Sequence, residues 1–135
     1  MHYTLAQHIA LTSLVVADYD EAIEFFVNKL HFQLIADQPI PEEGKRWVVV
    51  SPSQTAGAQL LLAQAKTDAE QQRIGNQTGG RVAMFLHTDD FWRDYKAYRA
   101  NGIEFMETPR EEPYGTVAVF EDLYGNQWDL LEPKQ

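Results

Sequence analysis

The sequence contains no cysteine. That absence removes disulfides, thiolate metal sites and thiol nucleophiles together, and it suits a reducing compartment. Positive charge is scarce: Lys and Arg total 11 against 20 for Asp and Glu, a formal net charge of -9. An anionic surface of this kind repels phosphate backbones and acidic lipid, so neither nucleic acid nor a membrane is an expected partner. Long apolar runs are missing as well. Residues 1–17 hold no Asp, Glu, Lys or Arg, but Gln7, His8, Thr12 and Ser13 interrupt them and no basic start precedes them. They do not read as a signal peptide, and no other stretch approaches the ~18 apolar residues of a membrane span. A cytoplasmic protein is expected.

What is present is core material: 44% of the 135 residues are hydrophobic and 12% aromatic. A chain of this size folds without metal or disulfide staples and reads as one domain, 1–135. Within it the sequence nearly runs twice. Asp18-Tyr19-Asp20-Glu21-Ala22 opens a helical pattern through Ala22, Ile23, Phe26 and Leu30, and Asp90-Phe91-Trp92-Arg93-Asp94 opens another at a shift of 72. Acidic residues suited to capping begin both. Strand-like runs precede them, Ile9 to Val16 and Val82 to Thr88. Behind them, Leu30-His31-Phe32 and Asn101-Gly102-Ile103 match at a shift of 71, with His31 where the second copy has the expected glycine. Two further strand pairs match at a shift of 70: Trp47 to Val50 with Val117 to Phe120, and Gln59 to Leu62 with Asp129 to Glu132.

Each half therefore reads as strand, helix and three strands. One helix cannot cover both faces of a four-stranded sheet, so the copies are expected side by side with a concave sheet surface left over. The expected fold is α+β: two βαβββ modules in tandem, each helix packed outside a curved mixed sheet enclosing a cavity. Module one spans about 5–63, a polar connector about 64–80 and module two about 81–133.

The segment from Ser13 to Phe26, continued by Lys29-Leu30-His31-Phe32, resembles the opening of the vicinal oxygen chelate superfamily. The closing segment from Val117 to Leu131, with Asp122-Leu123-Tyr124-Gly125-Asn126 at its turn, resembles the end of that superfamily's domain. This group contains glyoxalase I, bleomycin-resistance proteins, extradiol dioxygenases, methylmalonyl-CoA epimerase and fosfomycin-resistance enzymes. The resemblance implies a glyoxalase/bleomycin resistance-like fold and a homodimer. It also implies a divalent metal held by His or Glu on the first and last strands of each module. Counting back seven residues from Asp18 and Asp90 places the first-strand positions at Leu11 and Ala83; the last-strand positions are Gln59 and Asp129. Only Asp129 is a good donor, and ligand number supplies metal affinity, so no cofactor and no metal centre of the usual kind is expected.

Other histidines do not restore a metal centre in this reading. His2 lies at the terminus, His31 fills a turn, and His8 has the wrong strand parity to join Leu11. His87 is in phase with Ala83 and Phe85, and with Asp129 it forms the candidate acid/base pair. Ser13, Gln59 and Phe85 are expected to line the ligand site. Arg46 or Trp47 should join them, one as an anion clamp or the other as a stacking platform, since neighbours on a strand face opposite ways. Trp92, Tyr95 and Tyr98 have helical spacing and are expected in the core or an interface, and Glu104, Glu107, Glu111 and Glu112 on a solvated face.

Three functions fit these residues. The favoured one is a metal-free binding protein that sequesters an aromatic or amphipathic small molecule. The alternative is a glyoxalase-like lyase or isomerase using His87 and Asp129, or an atypical metal site. The third is a module whose cavity is filled by its own side chains. The net charge favours neutral, aromatic or cationic ligands over anions.

Overall fold

The computed structural model describes residues 6–135, so His2 lies outside the described residues. Module one runs β1 (Leu11–Val16), α1 (Tyr19–Ile23), β2 (Gln33–Ile40), β3 (Lys45–Ser51) and β4 (Gln59–Gln64). The connector holds a single helical turn, α2 (Asp68–Gln71). Module two repeats the order with β5 (Val82–His87), α3 (Phe91–Ala100), β6 (Arg110–Glu112), β7 (Gly115–Glu121) and β8 (Gln127–Pro133). The strand orders are β1-β4-β3-β2 and β5-β8-β7-β6, and in each sheet the first pair is parallel and the others antiparallel. This is the tandem βαβββ architecture, and the two sheets are not closed into a barrel.

Local chemistry explains the repeated helices. The carboxylates of Asp18 and Asp90 accept from the backbone N–H groups of Glu21 at 2.8 Å and Arg93 at 3.1 Å, which satisfies donors that a helix start leaves free. The copies differ by one residue between cap and stop: Asp18 to Leu30 corresponds to Asp90 to Asn101. Module one absorbs it by continuing α1 as a π-helical segment, Glu24–Lys29, closed by a bond from Leu30 N to Phe25 O at 3.2 Å. The wider turn takes one more residue and leaves both Phe25 and Phe26 buried. Each helix then ends on a left-handed residue, Gly102 at φ 85° and His31 at φ 62°. The imidazole of His31 lies 3.3 Å from the Asn101 side chain.

The core lies on the helix-covered faces, and it is shared. Leu14 and Val16 of β1, Leu60 and Leu62 of β4, and Phe120, Trp128 and Leu130 of module two belong to one cluster with Phe26 and Phe91. Phe26 of the first helix meets Trp128 of β8 with ring centres 5.8 Å apart, and the hydroxyl of Tyr98 donates to Leu30 O at 3.3 Å. The modules thus meet through their helix sides, which leaves the opposite sheet faces open. Tyr98 is buried and Tyr95 packs against the core, as expected, but Trp92 is exposed, edge-on to the Phe91 and Tyr95 rings. No helix among the described residues is long and apolar enough to cross a membrane.

Candidate functional site

Strand alternation and pairing register define the two open floors. On the first sheet Leu11 stands beside Gln59, Ser13 beside Leu61 and Val15 beside Ala63. Val49 stands on the other side of Leu61, followed outward by Ala36, and Gln38 pairs with Trp47. On the second sheet Phe85 stands beside Asp129 and His87 beside Leu131. Val119 and Val117 flank these from β7, and Arg110 of β6 pairs with Val117. On the first floor the charge is Lys45, at the start of β3 on the face of Trp47 and Val49, whereas the second concentrates Asp129, Arg110 and the neighbouring Glu107.

Two aromatic side chains rise from these floors into solvent. Trp47 is 41% exposed and Phe85 64% exposed. The choice between Arg46 and Trp47 is settled by parity. Trp47 shares the face of Val49, whereas Arg46 shares that of the fully buried Val48 and points to the helix side. There Arg46 donates to both Asp37 oxygens at 3.1 and 2.8 Å, pairs with Asp20 at 3.0 Å and lies over the Tyr19 ring at 5.2 Å. The expectation of Arg46 as an anion clamp in the site is therefore corrected: its fork is already engaged away from the floor.

A second correction concerns Ala83. Leu61 and Leu131 are 70 apart, and their partners Ser13 and His87 are 74 apart, whereas the helix caps are 72 apart. The link from strand to helix is two residues longer in module one, so counting back from the cap misplaces the second position. Phe85, not Ala83, stands beside Asp129 as Leu11 stands beside Gln59; Ala83 falls at an irregularity in the register between Val82 and Met84.

The expected pairing of His87 with Asp129 is also corrected. His87 sits beside Leu131, two residues along β8, and no hydrogen bond or ion pair joins it to Asp129 among the described residues. Instead His87 lines a hollow of about 520 Å³ with His31, Ser53, Asp89 and Arg93. Asp129 answers to other neighbours. Burial raises its pKa above the ordinary aspartate value; the Arg110 guanidinium opposes the rise and the Glu107 carboxylate adds to it.

Glu107 and Arg110 went unrecognised as floor residues. The Glu107 carboxylate takes Arg110 Nε on both oxygens at 3.1 Å and also accepts the Val119 backbone N–H at 3.1 Å. A second guanidinium nitrogen reaches Glu112 at 3.4 Å. Glu104 and Glu111 are solvated as expected, but Glu107 and Glu112 are partly buried and hold Arg110. The usable signal was Arg110 itself, a single cation inside the acidic run from Glu104 to Glu112.

The four positions at which a metal would be held now read Leu11, Gln59, Phe85 and Asp129. Two hydrocarbons, a neutral amide and one carboxylate do not make a divalent site. No group of three or more His, Asp or Glu side chains among the described residues is arranged to hold a metal.

The profile of the Glyoxalase/Bleomycin resistance protein/Dioxygenase superfamily matches residues 6–130. The chain belongs to this superfamily. Among superfamily relatives, an uncharacterized protein of Shewanella frigidimarina is 59% identical over 128 residues, covering 95% of each chain. The uncharacterized protein YurT of Bacillus subtilis is 33% identical, covering 92% of this chain and 98% of its own. Two solved structures are also similar. UcmS2 has a TM-score of 0.81 and 26% identity over 95% of this chain and 99% of its own. TnmS3, an antibiotic binding protein from Streptomyces sp. CB03234, has a TM-score of 0.78 and 29% identity over 98% of this chain and all of its own.

Proposed function

We propose that the chain is a metal-free small-molecule-binding protein that sequesters an aromatic or amphipathic ligand against its two open sheet floors. The observation that carries this reading is the pair of exposed rings, Trp47 and Phe85, on sheet faces whose opposite sides pack into the shared core. Rings this open contribute little to the core, but they offer stacking surface to a planar guest. Asp129 stands beside Phe85, and Ser13 and Gln59 share the floor of Trp47, so the two floors carry a carboxylate, a hydroxyl and an amide, the mixture that orients a small molecule in an apolar site. The likeness to TnmS3, an antibiotic binding protein, supports the same reading.

The homodimer belongs to this proposal. Floors left open in one chain are completed when a second copy covers them, so the ligand would lie between two sheets. A cytoplasmic location is part of it too. The lyase or isomerase reading is weaker because its acid/base pair is not assembled.

Thermal unfolding with a panel of planar aromatic amphiphiles, beginning with 9-aminoacridine, tests the reading. Compounds are expected that stabilise the native chain but not the Trp47→Ala/Phe85→Ala double variant; a ligand at 100 times its Kd adds ~2.7 kcal/mol. The compound recovered afterwards is expected unchanged by NMR. Conversion that disappears in His87→Ala would favour the enzyme, and stabilisation by one equivalent of nickel or zinc would overturn the metal-free assignment.

A further inference from the structure

The outer edge of β1 is closed by one side chain of the connector. The carbonyls of Ala10 and Val16 accept from Gln59 N and Ala65 N, so groups of that parity turn toward β4. Those of Ser13 and Val15 turn outward, where an edge strand would present an unpaired donor and acceptor. Gln77 meets both. Val15 N–H donates to its Oε1 at 3.2 Å, and its Nε2 donates to Ser13 O at 3.0 Å. One amide side chain thereby replaces one peptide unit of a neighbouring strand.

Module two holds Gln77 in place. Its backbone N–H donates to Asn126 Oδ1 at 3.0 Å. Asn126 is buried and donates from its backbone and its side chain to Asp122, which also accepts from Trp128 Nε1 at 3.0 Å. Two residues upstream of Gln77, Gly75 adopts φ 73° with its missing Cβ only 1.9 Å from Tyr124 O, so the connector lies against this turn more closely than any side chain would permit. The anchor on one side is thus the β7–β8 turn, and on the other the backbone beneath Ser13 and Val15.

We propose that Gln77 is an edge latch: it closes β1 to pairing with a strand from a second copy of the chain and fixes the backbone that carries Ser13 and Val15 on the first floor. Gln77 acts here as a positioning residue, through β1, without touching the ligand. The assignment does not depend on what the floor binds.

Amide hydrogen exchange resolved by NMR tests it in Gln77→Ala, with Gln72→Ala as a connector control. Loss of the latch bond is expected to speed exchange of the Val15 amide ~10-fold, the equivalent of one net hydrogen bond, while the Val49 and Val50 amides inside the sheet change little. Sedimentation of Gln77→Ala should show concentration-dependent association beyond that of the native chain. Unchanged Val15 exchange, or equal acceleration at Val15, Val49 and Val50, would overturn the latch, since the second pattern marks a merely stabilising residue. Selective exposure of Val15 without added association would overturn the edge-closing role.

Discussion

Two phenylalanines on opposite faces of the second sheet separate core packing from the proposed binding floor. Phe85 projects from the open floor, 64% exposed; Phe120 of β7 is fully buried on the covered face, with the Tyr98, Phe105 and Trp128 rings at 5.6, 5.5 and 5.8 Å. Complete burial of such a side chain is worth ~1.5–3 kcal/mol, so Phe85, about one-third buried, holds roughly 0.5–1 kcal/mol. Phe120→Ala additionally leaves a cavity in a packed core and is expected to cost ~3–5 kcal/mol. With a urea m-value of ~2 kcal/mol/M, the midpoint should fall by ~2 M in Phe120→Ala and by less than ~0.5 M in Phe85→Ala. The assay is urea unfolding at 25 °C across a range of chain concentrations. At dilutions where sedimentation finds monomer, a Phe85→Ala loss above ~2 kcal/mol would refute the argument, because the ring would then be core. A loss that grows with concentration would instead report cover by a second copy.

Other expectations follow from individual contacts. Asp122→Ala removes an acceptor that serves Tyr124 N, Asn126 N and Nδ2, and Trp128 Nε1; leaving buried donors unpaired should cost ~3–5 kcal/mol, read by the same urea curves, and a loss below ~1 kcal/mol would contradict this network. For Asp129 the folded pKa is raised by burial, so ionisation opposes folding: its relative stabilisation is complete below the unfolded-state value and is lost as pH rises through the folded one. Asp129→Asn should therefore be more stable than the native chain at pH 7 and lose that advantage near pH 3, whereas lower stability at pH 7 would refute the sign. Arg46→Gln breaks the pairs with Asp37 and Asp20 and is expected to lower stability by about 0.5–1 kcal/mol, discounted for partial exposure, without changing affinity for any ligand stabilised by Trp47. A large affinity change would place Arg46 back in the site.

Local periodicity carried much of the architecture. Acidic caps, helical spacing and alternating strands depend on near neighbours, so the duplication and the parity that Ser13 shares with Leu11, and Phe85 with His87, were legible along the chain. Trp47 and Arg46 could not be separated that way, because alternation says that adjacent residues differ but not which of them meets the core. Register was equally hidden. The two-residue difference between strand and cap shows only when β5 is laid against β8, and it exchanges Ala83 for Phe85 at the place beside Asp129.

The amino-acid sequence by itself determined two copies of a βαβββ unit and the starts of their helices. Tertiary structure alone decided that the helix sides share one core, that the floors face outward, and that Glu107 captures Arg110 beside Asp129. The reason is separation along the chain. Caps and periodic faces are settled within a few residues, whereas register, module contact and ion pairing form only when distant strands are brought together.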